Sequence, residues 1–365
     1  TRAPRTRFAD DPENSTPPTG EFPVRKAATA PETDSRSGAV RAWDAFFFSP
    51  ADPTPLGLIR IATGLLLLWS FLWLGVDLND WLGPTGWVDA STARESLPPT
   101  GWSFWLWLPP GLIAPVYGLV LVVLVAFTLG FGSRVTAILA WAAVVSTNRR
   151  VPVMLFGFDS IMATWTLYLA VCGASGQALS LDRLLLRRRG LRGSNRPPEP
   201  SVSANLGLRL IQLHLCLIYA SAGLAKLQGT PWWDGSALAM LLGNSDFRPF
   251  DLSFLAAMPA LVQLGTHLTV ALELLYPILI WFRGWRPWML AGALGMHVAI
   301  ALSMGLTEFS LAMIVGNLAF VPPAWLRAAR LGLTRTPGVQ SSKSAGSETV
   351  LARPARPDRS RGSVS

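Results

Sequence analysis

Apolar residues fall in eight long runs that are separated by shorter polar stretches. A helix of about 20 apolar residues matches the hydrocarbon core of a bilayer. The pattern therefore predicts an all-α, polytopic integral membrane bundle with eight transmembrane helices. Their expected bounds are 56–76, 111–131, 134–147, 153–173, 206–226, 260–282, 287–304 and 308–326.

The two ends of the chain have a different composition. Residues 1–41 and 331–365 are rich in Pro, Ser, Thr and charge and show no apolar period. Such segments cannot bury enough apolar surface to fold, so we expect disordered tails around a membrane domain at 42–330. At the start of that domain, WDAFFFSP is typical of an interfacial amphipathic segment.

Arginines between the runs predict the orientation of the helices. Basic residues concentrate in the cytoplasmic connections of membrane proteins. With the N-terminus in the cytoplasm, nine arginines lie in internal connections and four in external ones. The internal set is Arg134, Arg183, Arg187, Arg188, Arg189, Arg192, Arg196, Arg283 and Arg286, and the external set is Arg94, Arg149, Arg150 and Arg248. We therefore expect a cell-membrane protein with both termini cytoplasmic.

Composition excludes several other classes of protein. The chain is 50% hydrophobic and only 15% charged, which is unlike a soluble globule. Its formal charge of +9 comes from arginines in the tails and between runs, so we expect membrane lipid and no nucleic acid as a partner. Cys172 and Cys216 both lie inside apolar runs, and with only three histidines we predict no metal site.

A polar stripe follows the fifth run. Its members fall within about 100° of one another on a helical wheel. They are Arg209, Gln212, Cys216, Tyr219, Gly223 and Lys226. Because polar groups that face hydrocarbon cost several kcal/mol each, the stripe is expected to face the bundle interior. His214 and Ser221 lie on the opposite side, and we interpret His214 as structural.

Lys226 is the one lysine between the tails, in a chain with 31 basic residues that are otherwise almost all arginine. Arginine cannot lose its proton in a protein, whereas a desolvated lysine can. Lys226 is therefore a candidate base at the outer end of its helix. The alternative is a lysine that anchors the helix by extending its ammonium to the membrane surface.

A second polar arc lies on the sixth run and is expected to face inward as well. It consists of Gln263, Thr266, His267, Glu273 and Pro277. Glu273 lies near mid-membrane, where a carboxyl is expected to be protonated or paired. His297 and Asp159 add candidate polar groups, although each histidine can be a packing residue and Asp159 can cap a helix. We expect Arg60 and Arg209 to close cytoplasmic helix ends.

Two stretches of sequence resemble a known family. In QLHLCLIYASAGLAKLQGTPWWDGSAL, the family's pattern of Gln, Tyr, Ala-Gly, Lys, Trp and Gly is matched. The matching residues are Gln212, Tyr219, Ala222, Gly223, Lys226, Trp233 and Gly235. The second stretch runs from Asn148 through GFD to ALSLD. Together they resemble the HTTM domain, the membrane domain shared with vitamin K-dependent gamma-carboxylase, over about residues 42–330.

The resemblance implies a chemistry. In the carboxylases the matching lysine deprotonates reduced vitamin K, and oxygenation then gives an epoxide and a strong base that draws a proton from glutamate. It implies Lys226 as the base, a reduced quinone of the vitamin K or menaquinol type as cofactor, and a protein or peptide substrate. The pocket or proton relay would be drawn from Gln212, Tyr219, His267, Glu273, His297, Asp159, Asn148 and Arg149.

The sequence also departs from the carboxylases. They carry a functional histidine in the stretch that here reads NRRVPVMLFGFD, where Asp159 is the nearest counterpart. They also have a large soluble luminal domain where a short polar segment follows Trp325, so we expect quinol oxygenation rather than glutamate carboxylation. The alternative function is a non-catalytic membrane factor for maturation, export or resistance of a partner polypeptide, in which the polar arcs join helices.

Overall fold

The computed structural model describes residues 37–190, 197–244 and 249–330. Within these ranges the chain is helical, and its one bridge of β type joins Ala51 to Ser201. The α-helices are α1 (Gly38–Phe48), α2 (Thr54–Leu74), α3 (Leu78–Leu82), α4 (Ala90–Glu95), α5 (Ile113–Leu129), α6 (Ser133–Arg150), α7 (Gly157–Cys172), α8 (Leu181–Arg188), α9 (Val202–Lys226), α10 (Thr230–Trp233), α11 (Ala237–Gly243), α12 (Pro259–Leu279), α13 (Arg286–Met304), α14 (Thr307–Asn317) and α15 (Pro323–Arg330). Short 3₁₀ helices lie at Phe104–Leu106, Pro110–Leu112, Pro152–Met154, Ala174–Gly176, Ser253–Ala257 and Leu318–Phe320. The residues before Ala45 form a separate unit, and the contacts below belong to the unit that begins there.

Within the described residues, five helices are long and apolar enough to cross a bilayer. They are α2, α5 with the preceding 3₁₀ turn, α9, α12 and α13. The other three predicted spans correspond to α6, α7 and α14, of which α7 has 16 residues and α14 has 11. In α13, only 11% of the most apolar 18-residue stretch is buried inside the protein. Most of its apolar side chains therefore face outward, as on a lipid-facing helix.

The helix ends differ from the predicted bounds for local reasons. Helix α9 starts at Val202, four residues before the predicted bound, because the Ser201 hydroxyl caps it by accepting from the N–H of Ala204. Helix α7 starts at Gly157 rather than at 153, after the 3₁₀ turn that Pro152 opens. Helix α1 begins at Gly38, inside the predicted N-terminal tail. Residues 1–36 and 331–365 of the two predicted tails lie outside the described residues, as do Arg192, Arg196 and Arg248.

Helix α9 is central in the bundle. It packs against α2, α7, α12 and α14. Its buried residues include Gln212, Tyr219 and Gly223, whereas Leu217 on its other side is 65% exposed. The prediction that the polar stripe faces the interior is confirmed. An inward polar stripe on a central helix places its side chains within reach of several other helices.

A buried clamp lies at the predicted cytoplasmic end of α2. The guanidinium of Arg60, which is fully buried, donates to the carbonyls of Ser175 and Leu179. Asp182 lies beside it and caps α6 by accepting from the N–H groups of Gly132 (2.8 Å) and Ser133 (2.9 Å). Burial opposes the ionised form of Asp182, but these hydrogen bonds and the charge of Arg60 lower its pKa below the usual value. Arg60 thus fixes the connection between α7 and α8 rather than closing the end of a helix.

Arg209 attaches the amphipathic segment to α9. Its Nε donates to the carbonyl of Phe46 at 3.1 Å, and its guanidinium carbon lies 4.0 Å from the centre of the Phe46 ring. The amide of Asn205 donates to the same carbonyl at 2.8 Å. Arg209 therefore fixes the chain that leads into α2, rather than closing the end of its own helix. Its position beside the aromatic ring also keeps its charge away from the apolar interior.

Candidate functional site

Lys226 turns toward the bundle interior at the C-terminal end of α9. Its Nζ donates to Oε1 of Glu273 on α12 at 2.9 Å and lies 2.8 Å from Oε2. The Lys226 side chain is 21% exposed and that of Glu273 is 6% exposed. The Nζ also lies 5.0 Å from the centre of the Trp232 ring. An inward ion pair of this kind is not the geometry of a lysine that extends to lipid headgroups.

The second carboxylate oxygen of Glu273 has unused hydrogen-bonding capacity. Oε2 is buried and makes no hydrogen bond of its own, and the ammonium of Lys226, 2.8 Å away, is its ion-pair partner. The prediction that a carboxyl at this depth would be protonated or paired is confirmed in the paired form.

Gly223 allows the pair to form. A Cβ at this position would lie 2.9 Å from Cδ2 of Leu274 and 3.2 Å from Cβ of Glu273. Helices α9 and α12 are therefore so close at this level that a larger residue would require Leu274 and Glu273 to shift. Because Gly223 lies three residues before Lys226, on the same face, it brings the carboxylate within reach of the ammonium.

Two tyrosines continue the polar cluster one to two turns below Lys226. The hydroxyl of Tyr219 and Nε2 of His297 on α13 are 2.9 Å apart, and both residues are nearly fully buried. The Tyr219 ring packs on that of Tyr276, whose hydroxyl donates to Oδ1 of Asn317 at 2.6 Å. The Nδ1 of His297 is buried without a partner. The cluster therefore contains a second buried polar atom that could take a hydrogen bond.

Gln212 forms a separate contact nearer the predicted cytoplasmic side. Its Nε2 donates to the carbonyl of Ala319 at 2.7 Å, and its Oε1 accepts from Arg209 at 2.9 Å. Both ends of the amide are thus used. Gln212 joins α9 to the turn after α14, and it does not contact the Lys226–Glu273 pair.

His267, on α12, contacts the connection after α9 rather than the buried cluster. It is exposed, and its Nε2 lies 3.2 Å from the carbonyl of Trp233. Gly235 follows with φ +82°, where a Cβ would lie 2.8 Å from Gln263 and 3.2 Å from His267. The Gly235 carbonyl accepts from Thr266 at 3.1 Å. The Trp and Gly of the motif therefore dock the connection after α9 onto the start of α12.

Asp159, Asn148 and Arg149 form a second group. The Asn148 amide donates to the Asp159 carbonyl at 3.2 Å, and the Asp159 carboxylate accepts from the N–H of Phe156 at 2.8 Å. Asp159 does stabilise the start of α7, but from the third residue of the helix rather than from the cap position. Exposed Arg149 lines a cavity of about 390 Å³ beside Asn148. This group is in no direct contact with Lys226 or Glu273 among the hydrogen bonds of the described residues.

Three further polar residues make buried contacts that were not predicted from the sequence. Arg150 was counted only as a loop cation, yet it is buried and donates to the carbonyls of Gly83 and Val88, which fixes the outer connection after α3. Tyr276 lies three residues after Glu273 and could have been found by extending that arc by one turn. Asn317 is a single amide in an apolar run, and no periodicity marks it.

The helices and their inward polar cluster define a polytopic α-helical integral membrane protein with a lysine–carboxylate pair inside the bundle. The family model of the HTTM domain matches residues 48–325, and the chain belongs to the HTTM family. Searches of curated proteins and of solved structures gave no significant match.

Proposed function

We propose that this protein is a quinol-linked membrane enzyme in which Lys226 is the base. The observation that carries the proposal is the inward Lys226–Glu273 pair, with its Nζ–Oε1 distance of 2.9 Å. A cation required only at the membrane surface gains nothing from a buried carboxylate partner. A base inside the bundle does, because its partner can share the proton.

Glu273 solves the charge problem that a lysine base faces inside a membrane. If the proton moves from Nζ of Lys226 to Glu273, the result is a neutral amine beside a neutral carboxylic acid, and no net charge is created in the low-dielectric interior. The amine lone pair is then free to accept a proton from a substrate hydroxyl. Arginine at the same position could form the ion pair but could not act in this way.

The residues around the pair fit a reduced quinone. The buried Nδ1 of His297 has no hydrogen-bond partner and can contact one hydroxyl of a quinol, while Oε2 of Glu273 stays beside the Lys226 ammonium at 2.8 Å. When bound, a reduced quinone supplies an acidic hydroxyl and a ring that reacts with oxygen. Nζ of Lys226 would take the hydroxyl proton, and Tyr219 would hold His297 in place through its 2.9 Å contact.

We also propose the finer topology of eight spans with both termini cytoplasmic. The cavity-lining residues at the ends of α2 and α6 and at the starts of α7 and α14 lie together, which supports alternating helix directions. Lys226 would then lie toward the outer side. Single cysteines are introduced at positions within 77–110 and at Gly190 in a Cys172→Ser, Cys216→Ser background, and an impermeant thiol reagent is added to intact cells. We expect labelling of the cysteines at 77–110 only. Labelling of Gly190→Cys would contradict the topology.

The test of the activity uses the purified protein with reduced menaquinone or vitamin K and oxygen, with epoxide formation as the readout. We expect turnover that is lost in Lys226→Ala and in Lys226→Arg, while Ser221→Ala on the exposed side of the same helix keeps it. Undiminished turnover in Lys226→Ala would remove that residue from the mechanism. If the protein binds the quinone but forms no epoxide, the proposed reaction is wrong.

A second candidate function rests on a different observation. Each polar contact of the cluster joins two helices: Lys226 and Tyr219 link α9 to α12 and α13, and Tyr276 links α12 to α14. Such contacts are typical of helix–helix association in membranes. A non-catalytic factor for maturation, export or resistance of a partner polypeptide would need only this. It predicts that Lys226→Arg is tolerated, and co-purifying quinone would count against it.

A further inference from the structure

A second cavity, of about 580 Å³, lies where the ends of α2 and α6 meet the starts of α7 and α14. Its volume is in the range of small-molecule sites, roughly 300–1,000 Å³. Neither Lys226 nor Glu273 lines it. Phe309 is the point of contact with the polar cluster, since its ring lines the cavity and its centroid lies 5.7 Å from that of His297. What this cavity binds does not depend on quinol chemistry at Lys226.

The cavity carries acidic groups without basic ones. Asp77, Asp159 and Glu308 line it, and the described residues around it include no Lys, Arg or His. In the part of the chain that the structure describes, no ion pair joins Asp159 or Glu308 to a basic side chain. The starts of α7 and α14 offset these charges only in part, because a helix N-terminus contributes about half a positive charge. The cavity therefore presents carboxyl groups that no basic side chain of its lining neutralises.

Six of the remaining sixteen lining residues are aromatic. They are Trp69, Trp73, Trp81, Phe156, Phe158 and Phe309. Aromatic faces attract organic cations, more strongly where the cation is desolvated. A small hydrated metal ion would gain little from such walls, and a neutral or anionic ligand would leave the carboxylates without a partner.

We propose that this cavity binds an organic cation, a quaternary ammonium that carries an apolar group. The carboxylates of Asp159 and Glu308 supply the charge and the indole and phenyl rings supply the desolvated wall. Two tryptophans of that wall, Trp69 and Trp73, are more than half exposed on the outside of α2. A ligand with an apolar group can thus enter from the bilayer side.

The test compares two probes of the same shape that differ in charge. Benzyltrimethylammonium is the cation, and neopentylbenzene is its uncharged counterpart. Full-length protein in phosphatidylglycerol nanodiscs is titrated with each by calorimetry, with empty nanodiscs subtracted. We expect the cation to bind at least about tenfold more tightly. Equal affinity for the two probes, or binding of Mg²⁺ alone, would overturn the proposal.

Variants assign the binding to this cavity. We expect Glu308→Gln and Asp159→Asn each to weaken cation binding by about tenfold and to leave the uncharged probe unchanged. Both keep the shape of the side chain, and Asn can still accept from the N–H of Phe156. Trp69→Leu tests the aromatic wall without touching a carboxyl. The control is Glu95→Gln, which alters an exposed carboxyl outside the cavity. Wild-type affinity in both carboxyl variants would refute the assignment.

The same titration in phosphatidylcholine nanodiscs, compared with phosphatidylethanolamine nanodiscs whose surface is equally zwitterionic, separates two sources of the ligand. Unchanged affinity for benzyltrimethylammonium identifies a free cation as the occupant. A severalfold loss of affinity means that a choline headgroup from the bilayer competes for the cavity. Both results support recognition of a quaternary ammonium, and they differ only in where it comes from.

Discussion

The Lys226–Glu273 pair gives the sharpest prediction, because its two partners are unequally buried. At 2.9 Å and an effective dielectric constant of 20, the attraction between the charges is about 6 kcal/mol, from which the desolvation of both groups must be subtracted. Removing one partner of a fully buried pair typically costs about 3–5 kcal/mol. Lys226, at 21% exposure, can turn its ammonium to the surface, whereas Glu273, at 6%, cannot.

We therefore expect Lys226→Met to lower the free energy of unfolding by about 3 kcal/mol or more, since it leaves the carboxylate without its cation. Glu273→Gln should cost less, about 2 kcal/mol, because the freed ammonium can reach water. The double variant Lys226→Met, Glu273→Gln should cost clearly less than the sum of the two single changes, since it leaves no unpaired charge inside the bundle.

Unfolding in mixed micelles by titration with dodecyl sulfate, followed by the fluorescence of the 16 tryptophans, measures all four proteins of the cycle. A parallel cycle of Lys226→Met with Thr269→Val serves as control, because the Thr269 hydroxyl bonds only within α12. If the Lys226 and Glu273 changes add to within about 0.5 kcal/mol, the pair does not contribute as argued. A larger cost for Glu273→Gln than for Lys226→Met would refute the assignment of their burial.

Three further predictions concern packing, hydrogen bonding and pH. Gly223→Ala should separate α9 from α12 and destabilise by about 1–3 kcal/mol, while Gly295→Ala, with nothing within 4 Å of its added Cβ, should be neutral or stabilising in the same unfolding assay. Tyr219→Phe should lower the free energy of unfolding by about 1–3 kcal/mol, because it leaves the buried Nε2 of His297 without a partner. Tryptophan fluorescence during unfolding measures this change. A decrease below that range would mean that water replaces the tyrosine hydroxyl. Asp182→Asn should destabilise at pH 7 by about 1–2 kcal/mol. Because the folded-state pKa of Asp182 is lowered, its contribution to the free energy of unfolding is full above the unfolded-state pKa and is lost as pH falls through the folded-state pKa. The unfolding curves of wild type and variant should therefore converge in acid. A difference that stays constant with pH would contradict this.

The buried face of α9 was predictable from the sequence, whereas the partner of each polar group was not. On α12 the predicted inward arc is right for Thr266 and Glu273, which are buried, and wrong for Gln263 and His267, which are exposed. Periodicity placed Tyr219 and Lys226 on one side of α9, and the cost of a polar group in hydrocarbon gave the direction of that side. Nothing in the periodicity of a single helix indicates which other helix it meets. The pairing with Glu273 depends on the close approach at Gly223, which is a property of two helices together.

The same limit explains why the predicted site was too large. Gln212, His267 and Asp159 were grouped with Lys226 because all are polar and most share motifs with it. The structure separates them into a contact at Ala319, a loop contact at Trp233 and a helix start at Phe156. Spacing along one helix converts into distance only along that helix, so residues several turns or several helices away cannot be assigned to a site from sequence.

Asp159 lines the second cavity and lies apart from the Lys226–Glu273 pair. Carboxylases that the sequence resembles carry a functional histidine in this stretch, and the acidic side chain here lies in an aromatic cavity with Glu308. A histidine can carry a positive charge at this position, but an aspartate contributes only a negative one. A carboxyl rather than a basic side chain at this position is what the proposed binding of an organic cation requires. The cavity that would hold the cation meets the polar cluster around the Lys226–Glu273 pair through Phe309 and His297, so occupation of the cavity can be detected at that histidine.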